Sequence, residues 1–131
     1  MKLNTTTQYA IRFLHELIEE EDLTNIKALS EKLDIPYKYT SAIVTSLVKA
    51  GLIESIRGRN GGIKLGQNAQ QIMLSDIMAA LNEPYTNNEC LLGVGVCNHE
   101  EKCALHQSWM EPRESLAQMF QNTSLHDLSY H

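Results

Sequence analysis

Three cysteines fall within fourteen residues of this 131-residue chain, and a histidine follows the last of them after two intervening residues. Thiolates and imidazoles are the ligands that zinc, Cu(I) and iron–sulfur clusters take from proteins. The cysteine gaps of six and five residues are wider than the roughly two to four usual between paired zinc-ribbon cysteines. The residue pattern alone leaves a structural zinc, an iron–sulfur cluster and three uncoordinated reduced thiols open. The candidate metal ligands are Cys90, Cys97, Cys103 and His106, with His99 as a competing ligand.

The cysteine count and the N-terminal residues bear on the cellular compartment. An odd number of cysteines does not form a closed disulfide framework, and a reducing cytoplasm keeps thiols free. The N-terminus leads into an amphipathic pattern rather than a signal peptide, and no apolar run approaches the roughly 20 residues of a membrane span. With 43% hydrophobic and 21% charged residues, the sequence predicts a cytoplasmic globular protein without membrane association.

A second set of residues is suited to contact with DNA. One face of the third predicted helix is aliphatic, whereas the other carries polar and basic side chains that can reach base edges in the major groove. A glycine-rich stretch with two arginines follows, and an arginine on such a loop can enter a narrow minor groove. The candidate DNA-binding residues are Lys38, Tyr39, Thr40, Ser41, Thr45, Lys49, Arg57 and Arg59.

The charge distribution is compatible with DNA although the formal net charge is −5. Residues 36–66 hold five Lys and Arg against one Glu, while residues 71–131 hold two Lys and Arg against eight acidic residues. Salt screens charges more than about 8–10 Å from a phosphate, so a local basic surface is sufficient. A solvated helix face and an ordinary basic hairpin are the alternatives for either feature alone. The two features together, in this order, favour double-stranded DNA.

The predicted DNA-binding face lies on the third of three successive helices. Helical spacing of apolar residues predicts a first helix over residues 5–20 and a short second helix that carries Ile26, Leu29 and Leu33. Thr24 or Asn25 is suited to cap the second one. Pro36 suits the first turn of the third helix, because the fixed φ of proline is close to that of a helix. A short helix, a tight turn and a polar-faced helix in succession indicate a helix-turn-helix.

A hairpin and a fourth helix complete the predicted DNA-binding domain, residues 1–83, which is called the head below. Gly51 is a helix stop, and strands over 52–56 and 63–65 flank an Asn-Gly turn. Ser75 is expected to cap the fourth helix, which ends at Pro84. The predicted fold is therefore mostly α with a small β wing: a winged helix-turn-helix with a long C-terminal dimerisation helix.

The C-terminal part carries a near-heptad stripe that indicates a long helix packed against something large. A winged-helix domain of about 80 residues is expected to need no such helix for its own core, so the stripe predicts a dimer seam. Pro112 should kink or divide the helix, and residues 123–128 are expected to form a capped turn that packs back onto the head, with a frayed terminus as the alternative. The stripe consists of Leu105, Trp109, Pro112, Leu116 and Met119.

These elements divide the chain into three predicted parts. Residues 1–83 form the DNA-binding domain, residues 84–104 form a cysteine-containing loop for the cluster, and residues 105–131 form the dimerisation helix and tail.

Segments along nearly the whole chain, in the same order, resemble the Rrf2 family of transcription regulators. The most specific combination is the arginine-glycine stretch followed by three clustered cysteines. The segments that carry the resemblance are Tyr9–Arg12, Ile35–Tyr39, Leu47–Ile53, Arg57–Gly62, the cysteine loop and Thr123–Leu128.

The resemblance implies a homodimer crossed by the long C-terminal helices, with a winged-helix head at each end. Arg57 and Arg59 match the family's wing, and Tyr39 and Ser41 match the base-reading start of its recognition helix. Ser41 stands where iron–sulfur members carry an acidic residue, so the same operator preference is not expected.

The resemblance also implies an iron–sulfur cluster near the dimer helix, whose presence or state alters DNA affinity. The three cysteines match the family's cluster ligands, and His106 stands where members with a 2Fe–2S cluster have their ligand histidine. The first cysteine gap is six residues here and five in those members. Members with a 4Fe–4S cluster take an N-terminal acidic ligand where this chain has Gln8. A 2Fe–2S cluster is favoured, and a 4Fe–4S cluster remains an alternative.

The sequence thus predicts a dimeric transcription regulator, a repressor, whose cluster senses iron–sulfur status, redox state or nitric oxide. The alternative is a winged-helix DNA-binding or protein-interaction module, zinc-stabilised or cofactor-free, without a sensing role. An enzyme or electron carrier is disfavoured, because the chain contains no substrate-pocket motif and no Cys-x-x-Cys pair.

Overall fold

Helices and one short hairpin follow each other in the predicted order, which confirms the mostly helical fold class with a small β wing. The computed structural model describes residues 3–20, 22–83 and 105–128. Pro84, His99 and the three cysteines lie outside these residues. Within the described ranges, no helix has the length and apolarity needed to cross a bilayer. The elements are α1 (Thr5–Glu19), α2 (Ile26–Leu33), α3 (Tyr37–Lys49), β1 (Ile53–Ile56), β2 (Gly62–Leu65), α4 (Leu74–Ala80), α5 (His106–Asn122) and a 3-10 turn (His126–Leu128).

Asparagine side chains begin the first two helices. The Asn4 side chain accepts a hydrogen bond from the Thr7 N–H at 2.8 Å, and Asn25 accepts from two backbone N–H groups of α2 at 2.8 and 3.3 Å. These bonds satisfy N–H groups that have no partner inside the first helical turn. Of the two predicted caps of α2, Asn25 is the one used.

Two residues in the left-handed conformation separate α2, α3 and β1. Asp34 has φ 55° and ends α2, after which the buried Ile35 leads to Pro36. Gly51 has φ 81° directly after the cap residue of α3, which is a conformation that a residue with a Cβ adopts at a cost. The predicted stop at Gly51 is confirmed.

One hydrophobic core holds α1, α2, α3 and the hairpin together. Each helix contributes the apolar stripe that its sequence spacing predicted, and the second hairpin strand contributes its one fully buried side chain. Burial of each such side chain stabilises the fold by roughly 1.5–3 kcal/mol. The largest members of this core are Phe13, Leu14, Leu29, Leu47 and Ile63.

The hairpin is attached to the helical part by a third backbone segment. Its strands pair antiparallel, with Glu54 opposite Lys64. Beyond β2, the N–H of Thr24 donates to the Ile63 carbonyl and the N–H of Ile63 donates to the Thr24 carbonyl, both at 2.9 Å. In the connecting loop Gly58 has φ 112°, where a side chain would be strained. The chain before α2 therefore continues the two-stranded sheet by one bridge.

The helix α4 begins earlier than the sequence predicted. Its N-cap is Met73 and not Ser75, and the Asp76 carboxylate accepts a hydrogen bond from the Met73 N–H at 2.9 Å. Asp76 lies in the first turn, where a negative charge also interacts favourably with the helix dipole. Serine is a common N-cap residue, but here the Asp76 carboxylate, three residues after Met73, accepts the hydrogen bond at the start of the helix.

The C-terminal residues complete the core of the head. Phe120 packs with Leu74 and Met78 of α4, and Leu125 is fully buried in the main core. The Leu125 N–H donates to the Ile72 carbonyl at 2.7 Å. The predicted return of residues 123–128 onto the head is confirmed, and α5 adds Phe120 to a smaller cluster beside the main core.

The helix α5 is continuous although Pro112 lies inside it, so the proline does not divide it. The predicted stripe separates into two parts. Leu116 contributes to the cluster around Phe120, while Leu105 and Met119 are 38% and 47% exposed. These two members of the stripe are therefore accessible at the surface of the chain.

Replacing Ile63 tests whether the wing depends on its core contact. Ile63→Ala is expected to lower the free energy of unfolding by about 2–5 kcal/mol, because it leaves a cavity in the core. Ile56→Ala, on the facing strand with a 39% exposed side chain, is the matched control and should cost about 1 kcal/mol or less. Urea unfolding followed by far-UV circular dichroism measures both decreases. Equal decreases would contradict the burial of Ile63 in the core.

The C-terminal turn predicts a pH effect on stability. The backbone N–H of Ser124, at 3.0 Å, and secondly its hydroxyl hold the pKa of Asp127 below the ordinary 3.8. A lowered pKa in the folded state stabilises the fold above the unfolded-state pKa, and this contribution is lost as the pH falls through the folded-state pKa. Asp127→Asn should therefore reduce stability at pH 7, and the difference from the unsubstituted chain should vanish at the acid end of a pH series. Asp22→Asn, at another exposed aspartate, is the control for the loss of one negative charge.

Candidate nucleic-acid interface

The exposed face of α3 carries most of the predicted DNA-binding residues. Its basic and tyrosine side chains Lys38, Tyr39 and Lys49 are exposed, and Ser41 is half-buried. Thr45 is also exposed, and its hydroxyl donates to the Ser41 carbonyl at 2.9 Å. This bond orients the Thr45 side chain, so that its methyl group has a defined position for contact with a partner. The opposite face of α3 buries Ile43, Val44 and Leu47.

Thr40 does not belong to the exposed face. Its side chain is 1% exposed, and its hydroxyl donates to the Pro36 carbonyl at 3.3 Å. The predicted contact of Thr40 with DNA is therefore wrong for this structure. Successive residues of an α-helix point about 100° apart, so Thr40 faces the core between two neighbours that do not.

Tyr37 is a candidate that the sequence reasoning missed. Its side chain is 55% exposed at the first position of α3, and that of Tyr39 is 58% exposed. Tyr37, Ser41 and Thr45 are spaced four residues apart, which places them along one side of a helix. That spacing was the available sequence signal. Each tyrosine offers an apolar ring and a hydroxyl that can donate to a phosphate or a base edge.

The wing presents its two arginines at the tip of the hairpin. Arg57 and Arg59 are exposed in the loop between the strands, as predicted. Lower on the hairpin the Lys64 ammonium lies 3.7 Å from the Glu54 carboxylate on the paired strand. That ion pair neutralises much of the Lys64 charge, so the cationic part of the wing is its tip.

A groove of about 530 Å³ separates the wing from the helix-turn-helix. The start of α2 with Lys27, the side chain of Tyr37, and Arg57 in the wing loop all line it. The beginning of the recognition helix and the wing tip are therefore on the same side of the head. A surface with a protruding polar helix and a basic hairpin beside it has the form of winged helix-turn-helix DNA readers.

The cluster site cannot be assembled from the described residues alone. Cys90, Cys97 and Cys103 lie outside them, whereas His106 is the first residue of α5 and is 4% exposed. Among the residues that the structure describes, no three His, Cys, Asp or Glu side chains come together in a way that suits a metal ion. Three thiolates and one imidazole are a donor set that fits an iron–sulfur cluster. The exposed amide of Gln8 donates to the Leu3 carbonyl at 2.7 Å and is a poor ligand by its chemistry.

Glu83, the last described residue before the cysteine segment, is fastened to the beginning of α1. Its carboxylate accepts hydrogen bonds from the Asn4 N–H at 3.0 Å and from the Thr7 hydroxyl at 2.6 Å. Thr7 is fully buried. A carboxylate at a helix N-terminus also interacts favourably with the helix dipole. The chain therefore enters residues 84–104 from a position held against α1.

Comparison with known proteins gives concordant results. The sequence model of the Rrf2 family, described as an iron-dependent transcriptional regulator, matches residues 3–131. The regulator NsrR of Geobacillus kaustophilus is 34% identical over 98% of this chain and 89% of its own length. The regulator IscR of Vibrio campbellii is 28% identical over 98% of this chain and 77% of its own length.

A solved structure agrees with the fold. The structure of CymR, the global cysteine regulator of B. subtilis, is 28% identical, has a TM-score of 0.81, and is matched over 98% of this chain and 95% of that one. These relatives are transcription regulators and not enzymes. With a match that spans all but its first two residues, the chain belongs to the Rrf2 family of transcription regulators.

Proposed function

We propose that this chain is a homodimeric repressor that binds operator DNA through α3 and the wing, with an affinity controlled by an iron–sulfur cluster. The proposed ligands are Cys90, Cys97, Cys103 and His106, and a 2Fe–2S cluster is favoured over a 4Fe–4S cluster. Membership of a family of transcription regulators supports the coarser part, a DNA-binding regulator.

One observation carries the proposed mode of DNA binding: Tyr37 of α3 and Arg57 of the wing border the same groove. A helix seated in a major groove therefore brings the wing tip to the adjacent backbone or minor groove of the same duplex. Phosphate contacts by lysine and arginine supply affinity, whereas the polar side chains of α3 supply the contacts to base edges.

Dimerisation is part of the same proposal. Leu105, the cap residue of α5, and Met119 within α5 remain exposed along the stripe that the sequence predicted. A two-fold dimer presents two heads to two half-sites, about 34–36 Å apart on one side of a duplex. The proposal places this dimer in the cytoplasm, with residues 1–83, 84–104 and 105–131 as its reading, cluster-binding and dimerising parts.

The sensing part of the proposal is supported by the donor set and by its neighbours. An iron–sulfur cluster supplies a centre whose charge and integrity change with reduction, oxidation or reaction with nitric oxide. The segment that carries the cysteines is preceded by Glu83, which is bonded to α1, and followed by His106, which is buried. A change within the segment then acts on both α1 and α5. A coupling of about 1–3 kcal/mol would alter DNA affinity roughly 5- to 150-fold.

Similarity to CymR supports a second candidate, a DNA-binding regulator of this family without an iron–sulfur cluster. Its structural match, with a TM-score of 0.81, covers 98% of this chain, the same share as the sequence matches to NsrR and IscR. The cysteine segment then holds zinc or reduced thiols. Protein purified without oxygen separates the candidates, since a cluster gives visible absorption with iron and acid-labile sulfide, while the second candidate is colourless.

The wing arginine gives a test of DNA binding. A duplex is first selected by the protein from a randomised library, and its affinity is then measured by fluorescence anisotropy at several salt concentrations. Arg57→Ala should weaken binding and lower the slope of log K against log salt by about 0.9 for each phosphate that the arginine neutralises. Arg57→Lys keeps the charge and should keep the slope. An unchanged slope in Arg57→Ala would remove phosphate binding from the role of the wing.

Replacement of His106 tests the proposed cluster ligation. In protein purified without oxygen, His106→Ala should reduce iron and sulfide per chain and change the visible spectrum, whereas His99→Ala should leave both unchanged. His106→Cys supplies another soft ligand and should retain a cluster with an altered spectrum. Circular dichroism establishes that each variant is folded, because His106 is buried. Disappearance of the spectrum in His99→Ala alone would assign the fourth ligand to His99 instead.

A further inference from the structure

The groove between the wing and the start of α2 is lined by two polar side chains that the predicted DNA contacts do not include. Lys27 and Tyr37 both line it and both have exposed side chains, and neither was among the predicted DNA contacts. Lys27 and the wing-loop Arg57 are cations, and none of the described residues that line the groove is acidic. The groove therefore favours an anionic occupant.

The shape of this groove is held by the fold. Thr24 exchanges two backbone hydrogen bonds at 2.9 Å with Ile63 in β2, directly before Asn25 begins α2. Ile63 is 1% exposed and lies in the main core. Because the start of α2 is bonded to the wing strand, Lys27 has a defined position relative to the wing. A site of fixed width loses little conformational entropy when an occupant enters it.

The remaining surfaces of the groove suit a sugar-phosphate backbone. The Tyr37 hydroxyl can donate to a phosphate oxygen, and its ring together with the 39% exposed side chain of Ile56 offers an apolar surface to deoxyribose. The groove is continuous with the exposed start of α3, because Tyr37 belongs to both. A strand whose bases contact α3 therefore passes directly beside it.

We infer that this groove is a binding site for the phosphodiester backbone of one DNA strand, in which Lys27 contributes a charge contact and the Tyr37 hydroxyl a hydrogen bond. The inference rests on the proposed function and adds to it a contact between the strand and the start of α2. These contacts position the duplex without reading its sequence. Removing them should weaken binding to selected and unrelated duplexes alike.

The test uses the full chain and two duplexes, the one selected from a randomised library and a scrambled sequence of equal length. Lys27→Ala should weaken binding to both and lower the log–log salt slope by about 0.9. Tyr37→Phe removes only the hydroxyl and should weaken binding to both by roughly tenfold without changing the slope, since it removes no charge. Thermal unfolding verifies that both variants are folded.

A matched control lies at the other end of the same helix. Lys32 is 2.9 Å from the Glu16 carboxylate and does not line the groove, so Lys32→Ala changes the net charge equally while leaving the groove intact. Its salt slope should equal that of the unsubstituted chain. If Lys27→Ala behaves as Lys32→Ala does, or if only the selected duplex is affected, the groove inference is overturned while DNA binding stands. If the unsubstituted chain binds neither duplex, the proposed function fails and the inference fails with it.

Discussion

The two backbone hydrogen bonds exchanged by Thr24 and Ile63 are the contact on which the proposed DNA-binding surface depends. An isolated two-stranded hairpin is marginally stable in water, so the wing needs a third segment and a buried side chain to keep its position. Thr24 supplies the third segment, and Ile63 supplies the buried side chain. Since Asn25 begins α2 directly after Thr24, the same contact sets the distance between the wing and the helix-turn-helix.

The proposed DNA-binding surface of α3 and the residues that hold this helix in place are different sets of side chains. Each of Ile43, Val44 and Leu47 is nearly fully buried and stabilises the placement of α3 by roughly 1.5–3 kcal/mol. The exposed polar residues of the same helix contribute little to stability, and the buried Thr40 hydroxyl is satisfied inside the helix by Pro36. The exposed residues of such a helix can therefore vary in sequence while the fold is kept. This agrees with a family of transcription regulators in which a member of 28% identity has a similar structure.

The same head also holds both sides of the cysteine segment. Glu83 is bonded to the first turn of α1, and at the far end of α5 the side chain of Phe120 packs against α4. Leu125 then returns the chain to the main core. The described residues on the two sides of the cysteine segment, Glu83 before it and α5 after it, are thus connected to other helices of the chain by hydrogen bonds and packing. In the proposed sensor, packed helices and hydrogen bonds would carry a change in the cluster to the head.

The order of helices and hairpin, a cap of α2 at Thr24 or Asn25, the stop at Gly51 and the basic wing tip were determined by the sequence alone, because helical period, caps and turns are properties of neighbouring residues. The sequence did not determine which polar residues near the start of α3 face outward, nor that Asp76 rather than Ser75 organises the start of α4. Only the tertiary structure decided that Thr40 is buried and Tyr37 exposed, and that Leu125 lies in the core of the head. Those outcomes depend on contacts between segments far apart in the chain, which local residue patterns do not encode.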